Sequence, residues 1–446
     1  MSKFLSHFDK TYFLLVPVVL YTTWPWLTYR LRPIIPFLLF CLWFVFQRNP
    51  NWNFFQKRIF LQLGAITLVF FVFNSCLRNI FALVNHGQFF TYGELGTFLS
   101  AIIHFSIVHL SFSRMKFKEV EFLMFVALIG MMFAGIAAVR GGMIEGFEGG
   151  RLITTSDEFL TSSQSDDKLL AYQIGAASYG MTYNFSMITV PLLWSIFTIK
   201  KRYIQLLLIA ALGSCVLIIR NSGLGTPVIV LILGFVLFLC TIIGLKGWGI
   251  KLVGSMAIIL LITFSYNPNL FSPLSSAANM LGSMFPEDSS IQARCKSMAE
   301  AFGGDMNTYA YNRYQLQRKS LNAFFEHPIF GAGLYRHPHH KSFAIGGHSH
   351  LLDRLGQAGI IGGFFYFGFL VFLSQYYRQM TICFGLPRKW LVVPLICIFT
   401  YVFTCIANPL PTYPVLLYYM PGLPLLALKY DLRNRNSGQG YRICES

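Results

Sequence analysis

Histidine and arginine concentrate in one stretch of this sequence. Six of the ten histidines fall between positions 327 and 350: His327, His337, His339, His340, His348 and His350. Arg294, Arg313, Arg318, Arg336 and Arg354 lie among them or just outside. Guanidinium is a fixed planar cation whose fork of donors matches the oxygens of phosphate or pyrophosphate. Any one of these arginines has the plainer reading of a solvated charge or a lipid-headgroup contact; several beside one membrane surface suggest an anionic ligand. Arg220 belongs to the same group, at the end of an apolar run in Ile219-Arg220-Asn221-Ser222-Gly223. An arginine at that depth is costly unless it faces a cavity or a partner. Imidazole suits zinc and copper, and His337-Pro338-His339-His340 is the densest set. No acidic or thiol group stands near it at ligand spacing, so no metal or other cofactor is expected. The nine cysteines are scattered without a Cys-x-x-Cys pair, which argues against a thiolate metal site.

The elements that position these residues follow from composition. Of 446 residues, 55% are hydrophobic and 12% charged, with 17% aromatic and a mean hydropathy of +0.55. A soluble domain carries about 25% charged residues, so most of this helical surface faces lipid. The expected fold is all-α and integral to a membrane. Apolar runs near the roughly 20 residues that cross a bilayer occur at 12–29, 33–47, 59–77, 95–112, 120–139, 176–199, 203–219, 226–244, 251–266, 358–376, 390–407 and 412–428, about twelve in all. The polar start, Met1–Lys10, precedes a run without a small-residue cleavage site, so that run reads as a first helix rather than a removable signal. His104 and His109, five apart in the fourth run, do not share a helical face and read as interhelical hydrogen-bonding groups.

A net charge of +17 in a soluble protein would suggest nucleic acid; here its placement excludes that reading. Alternate turns, together with both termini, hold 20 Lys and Arg against 5 Asp and Glu, and the opposite side holds 15 against 13. Basic residues mark the cytoplasmic side, so both termini are expected there, and an even number of helices says the same. The expected organisation is helices one to five over 1–139, a first periplasmic loop over 140–175, helices six to nine over 176–266, a large partly helical periplasmic loop over 267–357, helices ten to twelve over 358–428, and a basic cytoplasmic tail over 429–446. The first loop is acidic (Glu145, Glu148, Asp157, Glu158, Asp166, Asp167). It suits a cover over a site or a surface for sugar hydroxyls, and equally a solvated loop. In the second, Ala310–Phe325 has helical spacing of apolar groups, His327-Pro328 ends it, and Gly331 and Gly333 make a turn.

The stretch Pro328–Gly363 resembles the O-antigen polymerase and O-antigen ligase superfamily of bacterial membrane glycosyltransferases. The matching pieces are Arg313, then His327-Pro328-Ile329-Phe330-Gly331-Ala332-Gly333 at a helix end, then His348-Ser349 with Leu352, then Gly359-Ile360-Ile361-Gly362 opening the next helix. Their order and spacing match over about fifty residues, and the twelve-helix plan extends the likeness loosely to the whole chain. Two departures stand. Arg220 takes the place of a family Ser-Arg in a shifted register, and Gln357 stands where many members have glutamate.

The resemblance implies an enzyme of the bacterial inner membrane. It transfers a glycan from undecaprenyl pyrophosphate to an acceptor hydroxyl on the periplasmic face, without a metal. Arg220 and Arg313, with Arg318 or Arg336 in reserve, would stabilise the pyrophosphate leaving group. His348 would orient or deprotonate the acceptor, since imidazole changes charge near neutral pH. His350 and Asp353 are second candidates, for binding the acceptor. The form Gly346-Gly347-His348-Ser349 looks more like a polymerase, which joins two lipid-linked glycans, than a ligase, which transfers to lipid A–core. The expected partners are the lipid-linked oligosaccharide, membrane lipid and a chain-length regulator. A flippase or transporter is the rival from another class. It would want an internal repeat and broken, charged helices at the midplane, and the sequence shows neither.

Overall fold

The computed structural model describes residues 10–23, 38, 41–42, 117–142, 179–222, 225–244, 247–266, 268–284, 290–303, 309–332, 345–383, 392–408, 422–424, 426–427 and 430. Among these residues the regular structure is helical, with no strand. The longer helices are α1 (Val16–Thr23), α2 (Phe117–Gly142), α3 (Tyr179–Thr198), α4 (Arg202–Asn221), α5 (Gly225–Ile242), α6 (Gly247–Tyr266), α7 (Ser275–Ser283), α8 (Ser290–Phe302), α9 (Tyr309–Glu326), α10 (His350–Cys383) and α11 (Val392–Ala407). Short 3₁₀ turns precede α1 and α7.

Among the described residues, three stretches are long and apolar enough to cross a membrane: Glu121–Arg140 in α2, and α4 and α5 in full. The reason is visible on α4. One face buries Ile204, Leu208, Ala211, Cys215 and Ile218. The opposite face exposes Leu206, Ile209, Val216 and Leu217. A helix at a water boundary would carry charge on that outer face. Here both faces are apolar, which suits protein on one side and lipid on the other. α6 and α11 contain shorter apolar spans. The expected spans at 59–77 and 95–112, with His104 and His109, the acidic loop and the basic tail from 431 onward, lie outside the described residues, as does most of the run at 33–47.

α3 is the central helix, buried from Thr182 to Leu192 and packed on α4, α5 and α11. Its buried hydroxyls turn back onto their own helix. Ser186 Oγ donates to the Tyr183 carbonyl at 2.8 Å, Thr189 Oγ1 to Ser186 at 2.6 Å, and Ser195 Oγ to Pro191 at 2.7 Å. A buried hydroxyl without a partner is costly, and these bonds meet that cost inside one segment. α2 and α4 lie side by side and run parallel, C-terminal end beside C-terminal end. Asn221 Nδ2 at the end of α4 donates to the Ala138 carbonyl near the end of α2, at 3.1 Å. At the start of α4, the Lys201 ammonium lies 4.8 Å from the Tyr430 ring centre.

Among the described residues, the segment from 268 to 332 holds three helices and a 3₁₀ turn, and α9 runs almost as the spacing predicts, ending one residue before His327. α10 differs from expectation. An apolar run alone places its start at 358, but the helix begins at His350 and is interrupted at Gly359, whose φ of 61° and ψ of −160° are not helical. The short first piece is polar enough to stay outside any apolar window, so hydropathy does not see it.

Candidate functional site

Tyr314, Gln317, Ser320 and Leu321 recur at helical spacing along α9 and are buried, whereas Arg318, Lys319 and Asn322 on its other side are exposed. The buried face packs against α10 and reaches the end of α11, where Gln317 Nε2 donates to the Ile406 carbonyl at 3.3 Å. Ser320 Oγ donates to Asp353 Oδ1 on the first turn of α10.

The loop Ile345–Ser349 lies over this junction. Its backbone passes so close to α9 that a side chain at Gly346 would strike the Leu316 carbonyl. Gly346 N donates to Ser320 Oγ at 3.1 Å, Gly347 N to Asp353 Oδ1 at 3.2 Å, and Ser349 N to Asp353 Oδ2 at 3.3 Å. Ser349 caps α10: its Oγ accepts from Leu352 N at 3.1 Å and donates to the Cys405 carbonyl at 3.3 Å. His350 N donates to the Asn408 carbonyl at 2.8 Å. His348 therefore sits between two amides held by one carboxylate. It is partly buried, and His350 and Asp353 are buried.

Asp353 lies ahead of the apolar span. Burial pushes its carboxyl up to about 6, and the bonds from Ser320 and the amides of Ser349, Gly347 and Gly346 pull the other way. Both oxygens are engaged in holding the loop. This is the geometry of a support beneath His348 rather than of a group presented to a ligand.

The turn after α9 is built into the break in α10. Gly331 N donates to the His327 carbonyl at 2.9 Å and Ala332 N to the Gly356 carbonyl at 2.8 Å. Beyond the break, Ile360 N donates to Pro328 at 2.8 Å and Ile361 N to Ile329 at 3.3 Å. A new helix start leaves amides without intrahelical partners, and the turn supplies their acceptors. Gly359 occupies a backbone region that essentially only glycine adopts, and a Cβ on it would meet the Ile329 carbonyl. Gly331, at φ 79°, would likewise drive a Cβ into the Gln357 carbonyl. Gly359→Ala is expected to cost about 1–3 kcal/mol from backbone strain alone, with the clash in addition. Thermal unfolding in detergent should show a lowered midpoint.

Three separate sequence pieces thus form one unit: the turn at 327–332, the loop carrying His348, and the broken helix at 359. The arginines are placed differently. Arg318 is exposed, and its Nη1 donates to the Tyr314 hydroxyl at 3.0 Å. Arg313 lies on α9 in register with Gln317 and Ser320, at i, i+4 and i+7, and its side chain is outside the described residues. Arg336 also lies outside them. Arg220 is exposed in the last turn of α4, where positive charge is favoured by the helix dipole. The main partners of α4 are α2 and α3. Buried Gln357 accepts from Arg354 Nη1 at 3.4 Å through Oε1, so no carboxylate stands at that place. Among the described residues no group of His, Cys, Asp and Glu is arranged to hold a metal.

Sequence reading missed Ser320 and Gln317 as members of this unit, and it placed Ser349 in the motif without the capping role it has. The available signal was a polar register, Arg313-Gln317-Ser320, along a helix whose neighbouring positions on that face are apolar.

No family model matches the chain, and no curated protein matches it.

Proposed function

We propose that the chain is a multi-pass glycosyltransferase of the bacterial inner membrane, with about twelve spans and both termini in the cytoplasm. It moves a glycan from undecaprenyl pyrophosphate to the hydroxyl of another lipid-linked repeat, as an O-antigen polymerase does. The observation that carries this reading is the unit around His348. Two of the sequence pieces on which the likeness rests, the turn at 327–332 and the start of the helix after Gly359, are joined by backbone bonds, and the loop carrying His348 is tied to α9 and to the first turn of α10. The asymmetry of positive charge supports the orientation.

In the reaction the acceptor oxygen attacks the anomeric carbon and the bond from that carbon to the pyrophosphate oxygen breaks. His348 takes the acceptor proton, and undecaprenyl pyrophosphate leaves with the bonding pair. Arg220 and Arg313, with Arg318 and Arg336 in reserve, carry the positive charge that this leaving group needs. Asp353 and Ser320 position the histidine and touch no substrate.

Purified protein in nanodiscs, given a lipid-linked repeat unit alone, should build a ladder of longer lipid-linked chains. Transfer that appears only when lipid A–core is added makes it a ligase. Lipid movement without new glycosidic bonds makes it a transporter, and no turnover of any donor ends the enzyme reading. Arg313→Ala should lower transfer by about a hundredfold to a thousandfold, the usual loss for removing one group that stabilises developing charge. Transfer at the unaltered rate would remove that arginine from the site.

A further inference from the structure

We infer that the turn after α9 is seated in the bilayer, with the side chains of Ile329 and Phe330 among phospholipid acyl chains. From the sequence this turn belongs to a water-facing loop. Its side chains do not suit water: Ile329 is 57% exposed and Phe330 63%. Its depth is fixed by its backbone. Pro328 and Ile329 accept from Ile360 and Ile361, the first two residues beyond the break in α10. From Ala358 to Tyr377 the sequence has 20 residues without Asp, Glu, Lys or Arg, enough to cross the hydrocarbon layer. Ile360, Phe364 and Val371 share one helical face there, and they are 58%, 72% and 55% exposed.

The turn therefore continues that apolar stripe at its outer end and cannot lie far above it. Pro328–Gly331 carries no charge, while Glu326 and His327, both exposed, stand where the chain returns to a polar layer. Irregular backbone survives at membrane depth only when its polar groups are satisfied by protein. The bonds to Gly356, Ile360 and Ile361 meet part of that need. Lipid is the occupant because the exposed face is continuous with the outer face of a membrane-length helix, and a patch of this kind left in water marks an interaction site.

The inference rests on α10 crossing the membrane, and one experiment separates the two claims. p-Benzoylphenylalanine is placed at Phe330 or at Phe364 in the full chain, in nanodiscs of palmitoyl-oleoyl phosphatidylcholine. After irradiation, intact masses are read. Both variants are expected to gain the mass of one phospholipid. A lipid adduct at 364 but none at 330 overturns the seating of the turn and leaves the span standing. No adduct at either position removes the span and the inference with it. A covalent dimer through position 330 assigns the patch to a second copy and also overturns it. If the variant at 330 aggregates on gel filtration, the same probe at Ile329 gives the same readings.

Discussion

His348→Ala should reduce glycan transfer by about a hundredfold to ten-thousandfold, the range for removing a group that moves a proton in the transition state. Its thermal midpoint should stay near that of the parent. The reason for separating the two readouts is the site itself. The His348 loop is held through the amides of Gly346, Gly347 and Ser349, which bind Ser320 and Asp353. Those bonds do not use the imidazole. His350 makes the control. Its backbone amide holds Asn408 and survives any side-chain change, so His350→Ala should cost transfer much less than His348→Ala does. Transfer by His348→Ala at the parental rate would take the imidazole out of the reaction.

Asp353→Ala should be the most damaging change to the integrity of this unit. It removes the acceptor of the Ser320 hydroxyl and of the Gly347 and Ser349 amides together. Each buried donor left without a partner costs about 1–3 kcal/mol, so the sum is a sizeable fraction of what holds a typical domain folded. Limited proteolysis should open the chain near 345–349 before the helices unfold. Asp353→Asn tests the charge separately. The folded carboxyl sits at about 6 against a reference of 3.8, so the folded protein binds this proton more tightly than the unfolded chain. That stabilisation is complete below about 3.8 and is lost as pH rises through about 6. The shift corresponds to about 3 kcal/mol, at order of magnitude. The parent should therefore lose thermal stability relative to Asp353→Asn as pH rises from about 4 to about 7. A constant difference between the two proteins across that range would mean the carboxyl titrates as it does in the unfolded chain.

Ser320→Ala adds a check on the support role. It deletes the hydroxyl between Asp353 and Gly346 without touching His348. An effect on transfer with unchanged binding of the lipid-linked donor would assign Ser320 to positioning.

The sequence alone determined the class of the molecule and much of its helical outline. Apolar runs and scarce charge dictate helices against lipid, because a backbone in hydrocarbon must satisfy its own hydrogen bonds. Hence α4, α5 and α6 fall close to the runs at 203–219, 226–244 and 251–266. α9 was legible for a related reason: its apolar spacing is helical and His327-Pro328 stops it. His348 was singled out by resemblance, but nothing in its spacing says what holds it.

Only the tertiary structure decided that. Asp353 reads in sequence as a polar residue near a histidine, available to a ligand. In the fold it is buried, because α9 brings Ser320 against it and the loop turns three amides toward the same junction. The start of α10 at His350 and its break at Gly359 were equally hidden. Hydropathy registers the mean polarity of a window. It is blind to hydrogen bonds made by backbone atoms 32 residues apart, and it is those bonds, from Ile360 and Ile361 to Pro328 and Ile329, that join the turn to the broken helix.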